Sequence, residues 1–147
     1  ASGGELPTPA LIAEGRRSPP ERVITAERAR QVREMLTTVT EPGGTATQAA
    51  IPGYRVAGKT GTSRKAVAGG YADDRYISTF AGMAPATDPR FVAVVTINEP
   101  RGEDYYAGSV AGPVFRAVMS DALRLYNVMP DAPVDETGMT VAGGDSP

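Results

Sequence analysis

The sequence has no cysteine, no histidine and no tryptophan. Without cysteine there is neither a disulfide framework nor a thiolate nucleophile, and without histidine the usual zinc ligand sets cannot be assembled. A general base must therefore be a lysine, a carboxylate, a tyrosine or water. An excess of basic charge is missing too. The 15 Lys and Arg are set against 17 Asp and Glu, for a net charge of −2. A strongly basic nucleic-acid binder is excluded, because neutralising phosphates needs a basic patch. No apolar run approaches the roughly 18 residues that suggest a membrane-spanning helix. No signal-peptide pattern is present. The opening "ASGGELPTPA" lacks an initiator Met and reads as the interior of a longer protein.

What remains is globular material. The 147 residues are 41% hydrophobic and 22% charged, enough for one domain with a core. Residues 1–24, with Pro7, Pro9, Pro19 and Pro20, predict an extended, turn-rich segment holding at most one short strand. Residues 25–39 predict a helix with Thr25 as N-cap. Ala29, Val32, Met35, Leu36 and Val39 form its apolar stripe, and Arg30 and Glu34 an i,i+4 pair. Glu41-Pro42-Gly43-Gly44 stops it. Strands are predicted at 54–60, 76–84 and 91–98, with the polar stretch 63–75 as a loop. The connection 85–90 is too short for a crossover, so the last two strands should pair antiparallel. After a loop at 101–109, residues 113–128 predict a second helix with Pro113 in its first turn. Its broad apolar face comprises Val114, Phe115, Val118, Met119, Ala122, Leu125 and Tyr126. Phe80 and Phe91 read as core. Residues 131–147 read as a flexible tail. The fold class is α+β, an antiparallel sheet flanked by helices.

One stretch, "GYRVAGKTGT" (53–62), carries two competing motifs. Gly53, Gly58, Lys59 and Thr60 fit G-x-x-x-x-G-K-[ST], the phosphate-binding loop. That motif needs a buried strand before it and a helix after it. Pro52 precedes it here, and Gly61, Thr62, Ser63 and a Gly69-Gly70 pair follow. The second motif is Lys59-Thr60-Gly61, followed by Thr62, the K-T-G element of penicillin-interacting serine enzymes. There Lys must point from a strand into a cleft, and Gly must let a ligand backbone approach. Lys59 and Gly61 fall on one strand face and Thr60 and Thr62 on the other, so twist or a local bulge would have to turn both hydroxyls toward a ligand. On the tripeptide alone, a surface strand with a solvated lysine and an exit turn is the favoured reading.

The wider chain bears on that choice. "EPGGTATQAAIPGYRVAGKTGTSRK", "FAGMAPATDPRFVAVVTINEP" and "YYAGSVAGPVFRAVMSDALR" resemble, in order, the C-terminal part of the transpeptidase domain of class B penicillin-binding proteins. The cell-division type, penicillin-binding protein 3, is the nearest likeness, over about residues 1–130. The resemblance implies a serine-type D,D-transpeptidase of septal peptidoglycan synthesis. A Ser attacks the D-Ala-D-Ala bond of a stem peptide, an acyl-enzyme forms, and an amine of a second stem peptide resolves it. β-Lactams acylate the same Ser. It further implies that Lys59 supports the network around the second-motif serine and attracts the substrate carboxylate. Thr60 and Thr62 bind that carboxylate, the Thr62 N–H is an oxyanion donor, and Gly61 keeps the strand edge open. Tyr76, Tyr105 and Tyr106 match cleft aromatics, with strand and loop packing as the alternative. Arg64 matches a position able to contact acidic ligand groups, with a solvated loop arginine as the alternative. Neither a cofactor, a metal nor a nucleic acid is implied. The implied location is the periplasmic face of the inner membrane, among membrane proteins of the divisome.

The chain departs from that pattern in one respect. S-x-x-K, which carries the nucleophile, and S-x-N are both absent. None of Ser2, Ser18, Ser63, Ser78, Ser109, Ser120 and Ser146 has the required Lys or Asn. The expectation is one piece of a longer protein, inactive alone, with an apolar face that the rest of the domain covers, as the same or a separate chain. A non-catalytic sensor module, a serine β-lactamase and a nucleotide binder are the alternatives.

Overall fold

A computed structural model describes residues 2–8 and 19–133. Two short strands, β1 (Glu5–Leu6) and β2 (Glu21–Arg22), pair antiparallel with Glu5 opposite Arg22. The sequence reading allowed one short strand here. The second exists because Arg22 reaches Glu5 Oε1 at 2.6 Å, a partnership no local pattern announces.

Helix α1 (Ala26–Thr37) begins as expected, with Thr25 accepting the Arg28 N–H at 3.2 Å. Its end is written in threonines. Thr37 and Thr38 donate to the carbonyls of Glu34 (2.8 Å) and Met35 (2.9 Å), and the chain tightens into a 3₁₀ turn over Thr38–Thr40. The predicted apolar stripe is only partly used. Val39 is buried, whereas Val32 and Met35 are 46% and 63% exposed.

The main sheet has the order β3-β4-β5, all antiparallel, from β3 (Ala57–Val67), β4 (Gly70–Ala84) and β5 (Phe91–Asn98). The loop predicted at 63–75 is mostly strand. β3 and β4 run on as a ribbon to a turn at Ala68-Gly69, with Val67 opposite Gly70 and one register shift between Arg64 and Ala66. A two-stranded ribbon wetted on both faces shows no apolar alternation, so its polar sequence passes for a loop. The backbone ladder pairs it, and charge pairs lie along it: Arg64 is 3.6 Å from Asp73, and Lys65 binds Glu99.

One face of the sheet is packed. Along β5, Phe91, Ala93, Val95 and Ile97 lie against the core and Val92, Val94 and Thr96 face out. The packed face meets α3 (Gly112–Leu125), whose Phe115, Met119 and Leu123 are fully buried. Phe80 of β4 meets the Phe115 ring edge-on at 4.8 Å. Phe91 is half-buried, packs against the core and meets the Tyr126 ring. The broad apolar face expected of α3 is halved, since Val114, Val118, Leu125 and Tyr126 stay exposed. Residues 107–109, expected in a loop, belong to the short helix α2 (Ala107–Val110).

Asp131 and Ala132, which the sequence reading placed in a flexible tail, are tied down by hydrogen bonds. Asp131 accepts the N–H groups of Arg55 (2.7 Å) and Thr87 (3.1 Å) and the Thr87 hydroxyl (2.9 Å). Its own N–H and that of Ala132 donate to Gly53 O at 3.1 Å. This clasp ties the exit of α3 to the approach to β3. Residues 134–147 lie outside the described residues.

Candidate active site

The phosphate-loop reading fails on backbone grounds. Lys59 lies within β3, no helix follows it, and the sheet is antiparallel. The K-T-G element instead occupies an edge strand, because among the described residues β3 pairs only with β4.

Edge position exposes backbone polar groups. In an antiparallel ladder, successive residues turn their N–H and C=O alternately toward and away from the partner. The Thr60 carbonyl accepts Lys59 Nζ at 2.7 Å, which marks Thr60 as outward-facing. By alternation Gly58 and Thr62 face outward as well. Side chains alternate in the perpendicular direction. Thr60 and Thr62 stand opposite Phe80 and Ser78, on the packed face, while Lys59 and Gly61 stand opposite Ala81 and Thr79. No bulge interrupts this, since the register shift falls beyond the motif, after Arg64. The expected local distortion is absent: Lys59 and the two hydroxyls straddle the free edge. An extended ligand laid along β3 would have an ammonium on one flank and two hydroxyls on the other.

The two glycines around Lys59 have different reasons to be there. A Cβ at Gly58 would lie 2.7 Å from both Ala81 O and the Phe80 ring, so packing demands glycine. A Cβ at Gly61 would meet only Thr79 O, at 3.9 Å. Nothing among the described residues requires position 61 to be bare.

Each threonine of the motif has a fixed partner. Thr62 Oγ1 accepts the N–H of Ala107, the first residue of α2, at 3.1 Å. Thr60 Oγ1 lies 3.0 Å from Thr45 Oγ1. Thr45 follows the α1 stop signal, and the sequence reading overlooked it because nothing local marks a loop threonine as facing a strand. Lys59, Gly58 and Thr45 line an open groove of about 520 Å³ with Met35, Leu36 and Val39.

Beyond the motif the three tyrosines come together. Tyr105 stacks on Tyr76 with ring centroids 3.9 Å apart, and on Tyr106 at 4.7 Å. Side-chain hydrogen bonds with Tyr106 and Tyr76 push the Tyr105 phenol up to about 12. The fully buried Ser78 donates to Tyr105 O and anchors the stack to β4. Asp104 accepts the Tyr106 N–H at 2.8 Å, and that bond, with the Ser109 hydroxyl, holds its carboxyl below the usual carboxylate range. Tyr76 stands directly across the β3–β4 ladder from Arg64, which pairs with Asp73. At the ladder's far side Glu99, in a left-handed conformation (φ 53°), takes Lys65, with Arg75 at 3.8 Å. The Lys65 hydrogen bond lowers its pKa.

Lys-Thr-Gly-Thr, which contains the K-T-G letters of penicillin-interacting serine enzymes, thus lies on the edge strand of an antiparallel sheet backed by helices. The comparison with protein families agrees. The profile of the penicillin binding protein transpeptidase domain matches residues 1–120, and the chain belongs to that family. It is 49% identical over 117 residues to the probable peptidoglycan D,D-transpeptidase PenA of Neisseria flavescens, covering 80% of this chain and 29% of that protein. It is 47% identical over 114 residues to the peptidoglycan D,D-transpeptidase FtsI of Escherichia coli K12, covering 78% and 19%. Among solved structures, the apo transpeptidase domain of Burkholderia pseudomallei penicillin-binding protein 3 superposes with a TM-score of 0.78 at 44% identity, over 89% of this chain and 40% of that one. The chain thus spans between about a fifth and three tenths of the length of these two curated relatives.

Proposed function

We propose that these residues form the K-T-G wall of a peptidoglycan D,D-transpeptidase that cross-links stem peptides during cell division and is acylated by β-lactams. The observation that carries the reading is the free edge of β3 with Lys59 on one flank and Thr60 and Thr62 on the other. A stem peptide ending in D-Ala-D-Ala adds to that edge as an extra strand. The Thr60 and Thr62 hydroxyls donate to its terminal carboxylate, and the Lys59 ammonium strengthens the local positive field. The outward N–H of Thr62 is placed to stabilise the oxyanion as a serine from elsewhere in the protein attacks. The acyl-enzyme forms, D-Ala leaves, and an amine of a second stem peptide accepts the acyl group. Tyr76, Tyr105 and Tyr106 wall the cleft beside the leaving group or the β-lactam side chain. Arg64 serves acidic ligand groups at the rim, in competition with Asp73.

The remainder of the domain covers what is bare here: Val32 and Met35 of α1, Val92 and Val94 of β5, and Val114, Val118 and Leu125 of α3. The parent protein acts at the periplasmic face of the inner membrane with division proteins as neighbours. No helix among the described residues is long and apolar enough to cross a membrane.

Fluorescent penicillin tests the reading. The parent protein should be labelled covalently, and this chain alone should not, since no S-x-x-K serine occurs in its 147 residues. Stable labelling of the isolated chain would overturn it.

A further inference from the structure

The two motif threonines have the same task but unlike supports. A hydroxyl has one proton and two lone pairs. To donate to a carboxylate, it must spend that proton on the ligand and accept from any other partner. Thr62 is forced into this role. Its partner is the backbone N–H of Ala107, which can only donate, so the Thr62 proton is left for the cleft. Thr60 has no such donor. Its side-chain partner is another hydroxyl, Thr45 Oγ1, 3.0 Å away, and either oxygen can be the donor.

We propose that Thr45 is a positioning residue of the K-T-G site. Its hydroxyl donates to Thr60 Oγ1, which turns the Thr60 proton toward the ligand carboxylate, as Ala107 N–H does for Thr62. This rests on the transpeptidase reading above and deepens it. The backbone of Thr45 is held for the purpose. The Ala46 N–H donates to Val39 O at 2.8 Å. A Cβ at Gly44 would lie 2.4 Å from the carbonyls of Thr38 and Val39, so the loop sits flush on the end of the α1 segment. On the other side, a Cβ at Gly108 would lie 2.0 Å from Thr45 O. Helix α2 therefore backs Thr45 through Gly108 and reaches Thr62 through Ala107, and one small element sets both hydroxyls.

The test uses the parent protein with Thr45→Val, Thr45→Ala and Thr45→Ser. Acylation rates are measured for benzylpenicillin and for its methyl ester by competition with fluorescent penicillin. Val and Ala should each slow acylation by the free acid about five-fold, the order set by one neutral hydrogen bond. The ester, which lacks the charged acceptor, should change less than about two-fold, and Ser should behave as wild type. In a Thr60→Val background, Thr45→Val should add no further loss. Wild-type rates in the Val and Ala variants would overturn the proposal, as would a Ser variant as slow as Val. Equal losses for acid and ester would do the same, since they indicate a structural defect. An unlabelled wild-type protein would instead overturn the transpeptidase reading, and this inference with it.

Discussion

Thr62→Val removes one hydroxyl while keeping the shape of the side chain. Its main structural consequence lies not at Thr62 but at Ala107. The Ala107 N–H belongs to the first turn of α2, where no helical acceptor exists, and Thr62 Oγ1 is its partner. Ala107 is only 1% exposed, so water has little access to the orphaned donor. Leaving a buried donor unpaired costs about 1–3 kcal/mol. In a domain of 150–250 residues each kcal/mol moves the melting temperature by about 2–4 °C, so a drop of about 2–12 °C is expected in the parent transpeptidase domain. Thr62→Ser keeps the acceptor and should melt within about a degree of wild type. The assay is thermal unfolding of the three proteins side by side, followed by fluorescent penicillin labelling of each while folded. Labelling should fall in the Val variant well beyond what the unfolded fraction explains, because the same hydroxyl serves the ligand. A Val variant that melts with wild type would refute the reasoning about α2. One that is destabilised yet labels normally would refute the role given to the Thr62 hydroxyl.

Other outcomes follow from the same geometry. Lys59→Ala in the parent protein should slow penicillin acylation by about 10²-fold or more, the range for removing one preorganised electrostatic group, and normal labelling would exclude Lys59 from the site. Gly61→Ala should leave the melting temperature nearly unchanged, because its Cβ meets only Thr79 O at 3.9 Å, yet it should slow acylation. Gly58→Ala should destabilise outright through the Phe80 ring and Ala81 O. Phe115→Ala empties the space against Phe80 and should cost about 3–5 kcal/mol by chemical denaturation. Glu99, with its pKa held below the ordinary 4.5, mainly by the Lys65 hydrogen bond, contributes stability above that value and loses it as pH falls through the lowered one. The melting difference between wild type and Glu99→Gln should therefore be present at pH 7 and shrink in acid.

The sequence by itself determined a good deal here. Missing Cys and His narrowed the chemistry, and the Thr25 cap and the Glu41-Pro42-Gly43-Gly44 stop bounded α1 to within a few residues. β-Branched runs marked β4 and β5, and the short connection between them set their antiparallel pairing. All of these are local: a cap, a breaker or an alternation involves residues a few positions apart. The K-T-G letters, with their flanking segments, pointed to the family for the same reason. Only the tertiary structure decided the rest. The ribbon at 63–75 depends on backbone pairing between two strands, and which half of the α1 and α3 stripes is buried depends on what packs against them. That β3 is an edge strand follows from what does not pair with it. The Thr45–Thr60 contact joins a loop to a strand, and Ala107–Thr62 joins a helix to that same strand. Hydroxyls and backbone N–H groups find partners through space, so these contacts leave no periodic trace in the chain.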